Sequence, residues 1–217
     1  MVPSKRRGPS PEVVLRRAER RGQLLDVAAQ VVEEHGPRAS INQIAAAAGI
    51  AKPVLYRHFG DKGGLYQALA ERYVRALMEE LRIALRKADD PRSRVAATID
   101  AYLSFVENHP EPYEFLMYRA VSEGPAAQAT VTDFIRQVAA EVAVELGEEL
   151  RSQGLDSGPA EPWAHGIVGM VQLAGDWWLG ARTMPRQRLV EYLTALLWQG
   201  FSGLAAEQAA PEAGTAT

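Results

Sequence analysis

GIAKPVLYRHFGDK, residues 49–62, sets a proline, two aromatic residues and three basic side chains between two glycines. Pro53 suits the first turn of a helix, where its missing N–H is no loss, and Gly60 marks the end. At about 100° per residue, Leu55 and Phe59 fall together and are predicted to anchor the helix in a core. Lys52 and Tyr56 flank that stripe on one side and His58 on the other, while Pro53, Val54 and Arg57 point away from it. Such a helix fits a DNA major groove, its flanks reaching phosphates and its crest reaching base edges. Its first turn adds free amides and a positive dipole end. A surface helix with scattered charges is the alternative reading.

The residues in front favour the DNA reading. Ser40-Ile41-Asn42-Gln43 is a capping box, opening a short helix that runs to Ala48, and Gly49 supplies the turn. The two helices and their turn form a helix-turn-helix with 52–59 as recognition helix. A helix before them, predicted from Val14 to Glu34, carries Leu24, Leu25, Ala28, Val31 and Val32 at helical spacing and stops at Gly36-Pro37. Charge follows the same division. Residues 1–62 hold 11 Lys/Arg and 6 Asp/Glu, a balance of +5; the remainder holds 13 and 21, a balance of −8. A basic head on an acidic body places a polyanion at the head alone. Lys5-Arg6-Arg7 reads either as a flexible arm reaching DNA or as a solubilising tail.

The rest of the 217 residues also reads as helix, with breaks at Asp89-Asp90-Pro91, His109-Pro110-Glu111-Pro112, Ser122-Glu123-Gly124-Pro125, Gly154–Pro162 and Thr183-Met184-Pro185. No strand alternation or internal repeat interrupts it, so the expected fold is all-α with about nine helices. The expected divisions are a basic arm over 1–13, a helix-turn-helix domain over 14–62, a helical ligand-binding and dimerisation domain over 63–206, and a disordered tail over 207–217. There is no cysteine, which excludes disulfides and thiolate metal sites. The N-terminus lacks the apolar core of a secretory signal, and no run approaches the roughly 18 apolar residues of a membrane span. A soluble, cytoplasmic protein without a membrane partner is the expectation.

Residues 39–69, ASINQIAAAAGIAKPVLYRHFGDKGGLYQAL, resemble the DNA-binding domain of the tetracycline-repressor (TetR) family, and the Leu-Leu-x-x-Ala-Ala-x-x-Val-Val helix before them matches that family's first helix. The resemblance covers about 50 residues, and beyond residue 75 it extends to the helical layout alone. It implies that Lys52, Tyr56, His58 and Lys62 contact phosphates and that Pro53, Val54 and Arg57 touch bases. It also implies that Ser40 and Asn42 meet the backbone or a flanking base. Two departures stand out. Ala51 replaces a common serine, and Gly63-Gly64 replaces helix formers, weakening the next helix by roughly 1 kcal/mol per glycine.

In the body, the four tryptophans sit at 163, 177, 178 and 198. On the helix predicted over 163–182, Ile167, Met170, Val171, Ala174, Trp177 and Trp178 form an apolar face, opposite a polar stripe of His165, Gly169, Gln172 and Asp176. On the last helix Leu189, Leu193, Leu196, Leu197, Gly200 and Leu204 make the core face, while Trp198 projects on the polar side, as on a partner surface. The last two helices of the TetR family dimerise as a four-helix bundle. That implies an isologous homodimer over 163–206, with Gly166 and Gly169 permitting close approach and Trp198 near the two-fold axis. Candidate pocket residues are Tyr102, Phe105, Tyr113, Met117, Tyr118, Phe134, Met170, Gln172, Asp176 and Trp177; plain core is the competing assignment. Their apolar bias predicts a small hydrophobic or amphipathic effector, with Arg119, Arg136 or Arg182 available to a single carboxylate.

These features combine into a ligand-responsive regulator, a repressor released from a palindromic operator on double-stranded DNA, with no cofactor. A DNA-binding regulator without effector is one alternative. An all-α carrier or enzyme is another, disfavoured because the four histidines are scattered without metal-binding spacing and no phosphate loop or nucleophile elbow occurs.

Overall fold

The computed structural model describes residues 10–87, 90–120, 122 and 125–209. Lys5-Arg6-Arg7 and residues 210–217 of the expected tail lie outside them, whereas residues 207–209, also assigned to that tail, continue the last helix. Among the described residues the fold is all-α, without strands. The helices are α1 (Pro11–His35), α2 (Ile41–Ala47), α3 (Lys52–Phe59), α4 (Lys62–Lys87), α5 (Pro91–Asn108), α6 (Pro110–Glu114), α7 (Pro125–Ser152), α8 (Ala160–Ala181) and α9 (Arg186–Ala209). A 3-10 turn, Gly36–Arg38, follows α1, and a π-helical turn, Phe115–Ala120, follows α6.

Local sequence explains most of the boundaries. Helix α1 starts three residues earlier than expected, because Ser10 is extended, Pro11 presets the first turn and Glu12 stands at the positive helix end. Asp90 caps α5 by accepting from the Ser93 backbone N–H at 2.9 Å. That contact holds the Asp90 carboxyl below its ordinary pKa.

The described residues form two compact units. One gathers residues 10–72 with 111–130, so a segment more than a hundred residues from the N-terminus belongs with the head. Its core includes Leu24, Ala28, Val32, Ile44, Leu55, Leu65 and Leu69. Fully buried Tyr66 of α4 meets Phe115 edge-to-face, ring centroids 5.1 Å apart. Gly36 lies against Glu111, and Arg72 of α4 pairs with Asp26 of α1.

The second unit gathers residues 73–110 with 131 onward. Here α5 packs against both α8 and α9. The approach of α8 is close: a Cβ on Gly175 would stand 2.9 Å from the Tyr102 ring. Ion pairs join the elements, Arg186 to Asp100 at 3.2 Å and Arg182 to Glu107 at 3.3 Å. Arg182, left-handed at φ 46°, also covers the Trp178 ring at 4.5 Å. On the α4–α7 side Arg82 binds Glu141 at 2.6 Å.

The core face of α8 is rotated by roughly 60° from the expected one. Ala160, Ala164, Val171, Gly175 and Trp178 are buried, whereas Trp177 is 52% exposed. Small residues let α5 come close, and close packing along that seam outweighs burying the larger side chain. Leu196 of α9, expected in the core, is 60% exposed.

Candidate nucleic-acid interface

Helix α2 begins with the reciprocal cap expected from its sequence. The Gln43 backbone N–H donates to Ser40 Oγ at 3.3 Å, and the Ser40 N–H donates to Gln43 Oε1 at 3.0 Å. It ends in a Schellman arrangement, with Ile50 N–H bonded to the Ala45 carbonyl and Gly49 N–H to that of Ala46. Gly49 has φ +64°, the left-handed region where a side chain would be strained. This turn directs the chain into α3.

Helix α3 has Pro53 in its first turn and no side-chain cap from Ala51. Leu55 and Phe59 are its buried residues. Lys52, Pro53 and Arg57 are exposed, and Val54, Tyr56 and His58 are half-buried. The side facing away from Leu55 and Phe59 thus presents Arg57 together with Pro53 and Val54, while Lys52, Tyr56 and His58 stand on its flanks. Asn42 is exposed beside Ser40 at the start of α2, and Lys62 opens α4 with its Nζ 5.4 Å from the Tyr66 ring. Between α3 and α4, Gly60 has φ +87°, and Asp61 caps α4 by accepting from the Gly64 N–H at 2.8 Å.

Part of this surface escaped the sequence reading. The Arg21 guanidinium of α1 lies 4.9 Å from the Phe59 ring. Partial burial holds His58 below its ordinary pKa, and the positive field of Arg57, Arg17, Arg20 and Arg21 adds to the effect. The arginines of α1 therefore belong to the electrostatic surroundings of the recognition helix. Their signal was visible in Arg16-Arg17-Ala18-Glu19-Arg20-Arg21, but that run read as net charge rather than as a located patch.

The remaining candidates divide between the two units. Tyr113, Met117 and Tyr118 lie in the unit containing the head: Tyr113 is buried, Met117 half-buried and Tyr118 exposed. Tyr102, Phe105, Phe134, Met170, Gln172, Asp176 and Trp177 lie in the other. There Tyr102 and Phe105 are buried, and Phe134, Met170, Gln172 and Asp176 half-buried. A crevice in that unit, enclosing about 10 Å³, is lined by Met78, Leu81, Leu85, Thr98, Val138, Glu141 and Val142. It has room for about one water, and none of the ten candidates lines it. Gly166 is exposed, and Gly169 and Trp198 are half-buried. No group of three potential metal ligands occurs among the described residues.

A capped α2, a Schellman turn and an anchored α3 with a cationic outer side define a helix-turn-helix protein of the transcription-regulator class. The chain belongs to the TetR family: residues 24–69 match "Bacterial regulatory proteins, tetR family", and residues 80–213 match "Tetracyclin repressor-like, C-terminal domain". It is 35% identical over 189 residues to the uncharacterized HTH-type transcriptional regulator Rv0472c of Mycobacterium tuberculosis, covering 87% of this chain and 80% of that protein. It is 34% identical over 192 residues to the HTH-type transcriptional activator FasR of Mycolicibacterium smegmatis, covering 87% and 85%. Among solved structures, a TetR-like transcriptional regulator from Rhodococcus sp. RHA1 superposes with a TM-score of 0.64 at 25% identity, covering 91% of this chain and all of that one. These similarities are to DNA-binding regulators, not to enzymes. No helix among the described residues is long and apolar enough to cross a membrane.

Proposed function

We propose that this regulator binds a palindromic operator as an isologous homodimer and responds to a small hydrophobic or amphipathic effector held in the 63–206 domain. The reading rests above all on α3, where burial of Leu55 and Phe59 fixes the rotation that turns Lys52, Pro53 and Arg57 outward. In this reading Lys52, Tyr56, His58 and Lys62 hold phosphates. Pro53, Val54 and Arg57 touch base edges, and Ser40 and Asn42 meet the flanking backbone.

Dimerisation through α8 and α9 is supported by what those helices leave uncovered. Leu173 is 69% exposed, and Trp177, Tyr192 and Leu196 are more than half exposed. Gly166, Gly169 and Gly180 have open space where a Cβ would stand. Two such faces, packed against each other, remove a substantial apolar area from water. The dimer sets two recognition helices about 34 Å apart, one DNA turn, and effector binding changes that spacing and releases the operator. A second reading, activation of transcription at the bound site, is favoured by the similarity to FasR.

The test is a gel shift on promoter fragments from around the protein's own gene, followed by addition of fatty acyl compounds and lipophilic drugs, with a transcription reporter in parallel. Retarded fragments that an effector releases support the reading, and the reporter gives the direction of control. Binding that no effector changes favours the regulator without ligand. Sedimentation of wild type as a stable monomer at micromolar concentration would rule out the dimer.

A further inference from the structure

Every residue of α1 from Pro11 to Gln23 is exposed, and Leu24 is the first buried side chain of the helix. Thirteen helical residues, roughly 20 Å at 1.5 Å each, therefore precede the first buried side chain of the helix. A helix of that length is marginal in water without packing. Here it is helped by Pro11 in its first turn and by an Arg16–Glu12 pair at 2.8 Å.

The charges on this overhang are segregated. At about 100° per residue, Glu12 and Glu19 share one side, while Arg17, Arg20 and Arg21 occupy an arc on the other. Arg16 is partly neutralised by Glu12. Arg17 and Arg20 have no carboxylate partner among the described residues; Arg20 donates to Gln23. The Arg17–Arg21 side is the one that, farther along α1, carries Leu24, Ala28 and Val32 into the core. Arg21 stacks on Phe59 at the end of α3, which places this arc next to the recognition helix. A set of like charges held together without counter-charges repels itself, and a polyanion relieves that repulsion.

We infer that the exposed first half of α1 is a second DNA-contacting element, on which Arg17 and Arg20 bind phosphates of the duplex beyond the stretch met by α3. The inference rests on the DNA-binding reading above and adds to it a sequence-independent contact. Arg21, engaged with Phe59, positions the arc. Because duplex DNA carries a negative charge every ~1.7 Å of its axis, a rod of this length runs past several phosphates, and two side chains suffice to register on them.

The experiment uses the full chain and a long mixed-sequence duplex labelled for fluorescence anisotropy, titrated across a salt series. Wild type, Arg17→Ala/Arg20→Ala, Arg17→Lys/Arg20→Lys and Lys52→Ala are compared, with circular dichroism to check helix content. The alanine pair is expected to lower the slope of log affinity against log salt by about two, and the lysine pair to retain it. A wild-type slope in the alanine pair, with Lys52→Ala flattened by about one, overturns the α1 contact and leaves the DNA reading standing. Wild type without salt-dependent binding overturns both. A change in sedimentation without a change in slope assigns the overhang to a protein partner and likewise overturns the inference.

Discussion

The Phe59 carbonyl oxygen reaches over the start of α4 so closely that a Cβ on Gly64 would overlap it. Gly64 is thus the residue that lets the recognition helix fold back into α4, rather than simply a weak helix former. Its neighbour is less constrained: a Cβ on Gly63 would meet the Asp61 carboxylate at 3.3 Å. Gly64→Ala is expected to destabilise by about 1–3 kcal/mol through overpacking. Gly63→Ala is expected to be neutral or to gain up to ~1 kcal/mol from helix propensity. Urea unfolding of both variants reads the difference, and equal midpoints would remove the steric role of Gly64.

The reciprocal cap at Ser40 and Gln43 joins two otherwise unsatisfied amides at the start of α2. Ser40→Ala should cost about 1 kcal/mol. Ser40→Asp, which keeps an acceptor, should retain most of the stability while weakening DNA binding by charge repulsion. Thermal unfolding and duplex binding on the same samples separate the two effects.

Arg57 and Lys52 are both exposed on α3 but are expected to fail differently. Arg57→Ala should relax sequence preference, losing about 1–3 kcal/mol of discrimination. Lys52→Ala should weaken binding to all duplexes and flatten the salt slope by about one. Binding selections from a random-sequence pool with each variant test the split; unaltered preference in Arg57→Ala would exclude it from base contact.

His58 gives a pH signature whose sign follows from its surroundings. Burial and the arginine field lower its pKa from 6.5, so the unfolded chain takes up a proton first as pH falls. Between those two values stability rises with pH and is lost on acidification. DNA binding runs the other way, because a phosphate offsets the arginines and favours the protonated ring. Wild-type affinity is expected to tighten as pH falls below 6.5, and His58→Gln should lose most of that dependence. Identical pH profiles would show that His58 does not face phosphate.

The recognition helix was legible because its eight residues differ sharply in kind, and burial of Leu55 and Phe59 follows from spacing alone. The capping box at Ser40 and Gln43 was equally readable, being local in sequence. The face of α8 was not. Apolarity favoured Trp177, whereas the close approach of Tyr102 to Gly175 decided the rotation, and that is a fact about a partner residue 73 positions away. The π-helical turn at Phe115–Ala120 and the overlap between Phe59 and Gly64 likewise depend on backbone geometry that residue type does not announce.

The pairing of Tyr66 with Phe115, and of Gly36 with Glu111, makes the head a discontinuous fold. A ribosome must deliver residue 115 before Tyr66 has its ring partner, so the amino-terminal third of the nascent protein waits, incompletely packed, for a downstream segment. Chimeras that exchange heads between related regulators by a single cut after α3 or early in α4 would strand that segment on the wrong protein. Grafts that transplant 111–130 along with the head should express in folded form where the simple ones aggregate.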